Sequence, residues 1–168
     1  MKLTGEKIIG LFKMKPLGDE GGYYVETYRA SEKIPPGALP QRYSGPRAFA
    51  TAILYLITDK AFSKLHRVRS DEVFHFYLGD PVIMLQLHPD GSGKIAELGH
   101  EITRGQNLQV TVPAGVWQGT LLKEGGRLAL LGCTVAPGFE SADYESAPIG
   151  ELLKAYPHYR DLIKRLSR

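Results

Sequence analysis

The 168-residue sequence predicts an all-β domain, a sandwich or barrel with short helices at its two ends. Three observations carry that prediction. From Ala50 onward, short runs rich in β-branched, aromatic and other apolar residues recur at regular spacing between Gly, Pro and Asp turn signals. No helical period separates them. Helix-spaced apolar residues occur only near the ends of the chain.

The elements follow in order. Thr4 to Lys13 reads as a helix capped by Thr4, with Ile8, Ile9, Leu11 and Phe12 on its buried side and Pro16 beyond its end. After the loop LGDEGG, Tyr23 to Arg29 is a β-rich run. Four prolines and two glycines between Ser31 and Pro46 exclude regular structure there and predict a long loop. The strand candidates are then Ala50 to Thr58, Val73 to Leu78, Val82 to His88, Lys94 to Leu98, Leu108 to Val112, Val116 to Leu122 and Arg127 to Val135. In AILYLI and VIMLQL both parities carry large side chains, so something must cover the outer face of the sheets. Terminal helices and a second copy of the chain are the expected covers, which predicts a homodimer. The tail, 149–168, holds helix-spaced Leu152, Leu153, Tyr156, Tyr159, Leu162, Ile163 and Leu166, and Pro157 divides it into two short helices.

Bulk composition narrows the function. With 43% hydrophobic and 23% charged residues the chain reads as one globular domain over 1–168. The formal charge of +3 comes from 151–168, which hold five Lys/Arg against two acids, and the rest is balanced. A nucleic-acid binder needs a basic reading surface, so no nucleic-acid partner is expected. No apolar run approaches the ~20 residues of a membrane span, and the start lacks a signal-peptide core, so no membrane partner and a cytoplasmic location are expected. The single cysteine, Cys133, excludes an intramolecular disulfide and reads as a buried strand residue.

The chemistry concentrates in His66 to Gly79, HRVRSDEVFHFYLG. An imidazole and a carboxylate at a strand entrance, followed by an aromatic strand and a glycine turn, suit metal ligation, proton transfer or ligand capture. If Glu72 faces a cavity, strand parity sends Phe74 and Phe76 inward with it and His75 to the opposite face. Tyr55 and Ile53 share a parity on the preceding strand, giving a mostly apolar lining suited to a small organic ligand.

His66, Glu72 and Gly79 resemble the first motif of the cupin superfamily. In GQNLQVTVPAGVWQ, Pro113, Gly115 and Gln118 resemble the second, with Gln118 where a histidine usually stands. GGYYVETYRA, TAILYLIT, SDEVFHFYLGDPV, VPAGVWQG and GCTVAPGFESADYE are similar to a group of small single-domain cupins of unassigned reaction, over roughly residues 8–148. The resemblance implies a jelly-roll barrel like that of the dTDP-sugar epimerases, a double-stranded β-helix with its core over 23–135. It also implies dimerisation and a ligand cavity in the barrel mouth.

The departures bear on mechanism. The resemblance implies three histidines and one glutamate as metal ligands, but Val68 and Gln118 occupy two histidine positions. No cofactor is firmly implied. A divalent metal stays as an alternative, with His66, Glu72, Gln118 and His75 as its candidate ligands. The preferred reading is acid/base chemistry of isomerase or epimerase type on a small, sugar-like or aromatic ligand. There His66 and Glu72 are catalytic, and Gln118, Tyr55, Phe74, Phe76 and Ile53 bind the ligand. A non-catalytic binding or sensing module and a metal-dependent oxygenase or isomerase are the alternatives.

Overall fold

The runs with large side chains on both parities become the central strands of two facing antiparallel sheets. The computed structural model describes residues 3–168. Its main strands are β1 (Tyr23–Arg29), β2 (Thr51–Thr58), β3 (Ser63–Arg67), β4 (Asp71–Gly79), β5 (Val82–Leu87), β6 (Gly93–Leu98), β7 (Gln109–Val112), β8 (Trp117–Leu122) and β9 (Leu128–Ala136). One sheet runs β1-β2-β9-β4-β7, and Lys15–Pro16 adds to β1 at its edge. The other runs β3-β8-β5-β6, and Glu145–Ser146 adds to β3.

The inward faces of the two sheets bury one apolar core, in which Tyr55, Phe74, Met84, Leu98 and Leu131 are each at most 1% exposed. The outer faces are covered by the ends of the chain. Helix α1 (Gly5–Phe12) lays Ile8, with Met14 beyond its end, over Leu56 and Leu130 of the first sheet. Helices α2 (Ile149–Ala155) and α3 (Arg160–Arg165) bring Leu152, Tyr156, Ile163 and Leu166 onto Leu85, Leu87 and Trp117 of the second. A 3-10 turn at Pro157–Tyr159 separates the two helices, where proline removes a backbone donor. Among the described residues, no helix is long and apolar enough to cross a membrane.

Three expectations need correction. Leu11 is 73% exposed and Phe12 38%, because the short α1 touches the sheet through the stripe around Ile8 alone. The segment 31–46 is not wholly irregular, since Lys33–Ile34 pairs with Arg47–Ala48 and Pro36–Ala38 forms a 3-10 turn. Most important for the site, Ser63–Arg67 is a full strand, so His66 stands within β3 and not at a strand entrance.

Candidate functional site

Three strands converge at one end of the barrel. In the β8-β3 register Gln118 lies opposite His66, and β4 brings Glu72 across from Val135 of β9. Glu72, Phe74 and Phe76 point inward. A bulge in the β4-β9 pairing falls at the Phe76 to Leu78 end, so the parity from Glu72 to Phe76 is unbroken. His75 faces outward, against Gln109, Thr134 and the Tyr77 ring.

The polar cluster is wired through an amide. His66 Nδ1 lies 2.7 Å from the Lys64 carbonyl, which only accepts, so Nδ1 carries the proton. Burial lowers the pKa of the fully buried ring, which leaves Nε2 as a bare acceptor. Gln118 Nε2 donates to that nitrogen at 2.9 Å and to Glu72 Oε2 at 3.2 Å. This orientation satisfies both acceptors and leaves the Gln118 carbonyl oxygen without a partner. Cys133 Sγ donates to Glu72 Oε1 at 3.7 Å, and burial pushes the thiol well above its ordinary range. Glu72 is 6% exposed, and burial raises its pKa to about 7.

A cavity of about 490 Å³ opens beside this cluster. Glu72, Tyr55, Ile53, Phe74 and Cys133 line it. His66 and Gln118 do not; they stand behind the wall, and Tyr144, which does line the cavity, stacks on the imidazole with ring centres 5.2 Å apart. Phe76 is also absent from the lining and packs deeper, edge-on to His100. Of this cluster, the carboxyl that faces the cavity is therefore Glu72, with Gln118 bonded to it from behind and His66 bonded to Gln118.

Sequence reasoning missed Glu20. It lies in the loop after Leu17, lines the cavity, and places Oε2 3.8 Å from His66 Nε2. The loop is pinned through its backbone: Lys64 N–H donates to the Glu20 carbonyl at 2.8 Å and the Tyr55 hydroxyl to the Gly21 carbonyl at 2.8 Å. Gly21 and Gly22 take φ of 89° and 72°, and a methyl on Gly22 would stand 2.7 Å from the Tyr55 ring. Burial raises the Glu20 pKa to about 8. The adjacent glycine pair was the available signal, because two successive left-handed residues fix where the preceding side chain goes.

The donor set does not fit a metal of the cupin kind. Val68 offers no donor, the lone pair of His66 Nε2 is taken by the Gln118 amide, and His75 lies on the opposite face of the sheet. What remains is carboxylate oxygen without a convergent imidazole set.

Comparisons with known proteins agree with this architecture. A family model described as "Cupin superfamily (DUF985)" matches residues 6–147. An uncharacterized protein of Saccharomyces cerevisiae is 29% identical over 134 residues, 74% of this chain; the match spans 66% of the yeast protein's own length, just under two thirds. A hypothetical protein from Leishmania major superposes with a TM-score of 0.86 at 29% identity, covering 98% of this chain and 99% of that one. A protein from Shewanella oneidensis also gives 0.86, at 28% identity and 99% of both chains. A cupin 2 conserved barrel domain protein from Rhodopseudomonas palustris shares the fold alone, with a TM-score of 0.55 at 12% identity over 92% of this chain and 86% of that one.

Proposed function

This chain belongs to the DUF985 family of the cupin superfamily, and from that premise we propose that its jelly-roll barrel takes in a small organic molecule and that Glu72 moves a proton on it. One observation carries the reading. Glu72 is a deeply buried carboxyl on the wall of a largely apolar cavity, and its oxygens meet the Gln118 amide and the Cys133 thiol with no cation beside them among the described residues. A carboxyl so placed exchanges its proton near neutral pH, where a general acid or base works best. Glu20 supplies a second carboxyl on the same wall, so one group can accept a proton while the other gives one. His66 and Gln118 act as positioning residues. The chemistry this supports is proton abstraction and return at a carbon, as in an isomerisation.

The test is deuterium wash-in. The protein is incubated with a cell metabolite extract in D2O, the mixture is returned to H2O so that O–H and N–H deuterium washes out, and compounds that keep one extra mass unit on carbon are sought by mass spectrometry. At least one such compound is expected, absent with Glu72→Gln. If instead a compound is retained unchanged by both proteins, with no deuterium incorporated in either case, the proton-transfer reading fails and the barrel is a binding module.

A further inference from the structure

The charge of the cavity wall narrows the ligand. Among the described residues, five carboxyl side chains line it, from Asp19, Glu20, Glu26, Glu72 and Glu140, against one cation, Arg29. That cation is already committed. Its Nε and Nη2 donate to Glu26 at 2.8 to 3.2 Å, Nη1 donates to Glu140 at 2.9 Å, and Nη2 also reaches the Phe139 carbonyl. An anionic ligand therefore finds no free guanidinium in the wall and meets a negative field that a low-dielectric cavity focuses.

The wall has a second property that points the same way. Glu72 is more than nine-tenths buried and lines the cavity; among the described residues its oxygens accept from the neutral Gln118 amide and Cys133 thiol and from no cation. Glu20, 16% exposed, is met by the Ser63 and Tyr55 hydroxyls and by the imidazole of His66, which burial keeps neutral, so among the described residues its neighbours bring it no positive charge. Both carboxyls are held above their ordinary pKa range by desolvation, as expected of buried acids that lack a counter-charge. Aromatic rings share the same wall: Tyr24, Tyr55, Phe74, Phe139 and Tyr144. Ring faces attract cations, and carboxylates complete such a site with charge-assisted hydrogen bonds.

We propose that the cavity selects a small organic cation, an amine on an apolar or aromatic body, whose ammonium lies between Glu20 and Glu72 while its body lies against the rings. This rests on the reading of the barrel as a small-molecule cavity and adds the ligand's charge.

Three probes of similar shape separate the two claims: benzylamine, benzyl alcohol and benzoate, each titrated into the full chain at pH 8.5, where both carboxyls are largely ionised and the amine keeps its proton. Calorimetry gives affinity, and protein-observed NMR at Phe74 and Cys133 reports occupancy of the cavity. Benzylamine is expected to bind tightest, benzoate weakest. Glu72→Gln and Glu20→Gln are each expected to weaken benzylamine by ~10-fold or more, the scale of a charge-assisted hydrogen bond, and to leave benzyl alcohol unchanged. Urea unfolding establishes that each variant is folded, and the two variants test the site independently. Benzoate or benzyl alcohol binding the cavity as tightly as benzylamine, or benzylamine indifferent to both variants, overturns the charge selection and leaves the small-molecule reading standing. If none of the three perturbs Phe74 or Cys133, both fail.

Discussion

Replacing Glu72 by Gln keeps the side chain's shape and removes its proton, which makes the buried carboxyl measurable through stability. Its pKa rises from 4.5 to about 7 on folding. The folded state then holds this proton more tightly than the unfolded chain, so the stabilisation is fully present below the unfolded value. It is lost as pH climbs through the folded one. At ~1.4 kcal/mol per pH unit, that rise corresponds to a loss of about 3 kcal/mol between pH 4.5 and 8. Glu72→Gln lacks this dependence. The assay is urea unfolding of both proteins from pH 5 to pH 8, followed by the fluorescence of the single tryptophan, Trp117, which is 8% exposed beneath the C-terminal helices. For a urea slope of ~1–3 kcal/mol/M, the midpoint difference between the two proteins should move by roughly 1–3 M across that range. Glu20→Gln should behave with the same sign over a window reaching about pH 8. A wild-type to Glu72→Gln difference that stays flat from pH 5 to 8 would show an ordinary carboxyl and refute the account of the site.

Three further outcomes are expected. Asp143→Ala strands Arg47, which is 3% exposed and bonded to Asp143 at 2.6 and 2.9 Å, and should cost about 3–5 kcal/mol in urea unfolding. Gly22→Ala forces a non-glycine residue to φ 72° against the Tyr55 ring and should destabilise by more than ~1 kcal/mol, with the Tyr55 ring signals shifting in NMR. Ile163→Ala empties a fully buried contact between α3 and the second sheet; a loss of about 2–5 kcal/mol and a red shift of Trp117 emission should report it.

Much of this was legible because the barrel obeys period two. The alternation through Thr51–Thr58 and Asp71–Gly79 placed Tyr55, Ile53, Phe74 and Glu72 on one side and His75 on the other. The double-sided apolar runs foretold that helices cover the sheets. Ser63–Arg67 escaped because SKLHR has no apolar alternation and its pairing to β8 shifts register between Thr120 and Gln118. Leu11 and Phe12 misled because consecutive apolar residues point around a helix, and a short one packs along a single stripe. Glu20 was invisible for a different reason. The Gly21–Gly22 pair marks a turn beside it, but where that turn docks depends on contacts from Tyr55 and Lys64, more than thirty residues away, which no local pattern records.

Gln118 has a consequence for how Glu72 is connected to the rest of the molecule. A carboxamide carries two N–H donors but neither gains nor loses a proton near neutral pH, and here both are spent, one on each neighbour. A histidine in that place would have made a conducting chain from Glu72 to His66. The amide is an insulator. On the Gln118 side the carboxyl is thus a terminus, and the route by which its proton reaches water runs through the cavity.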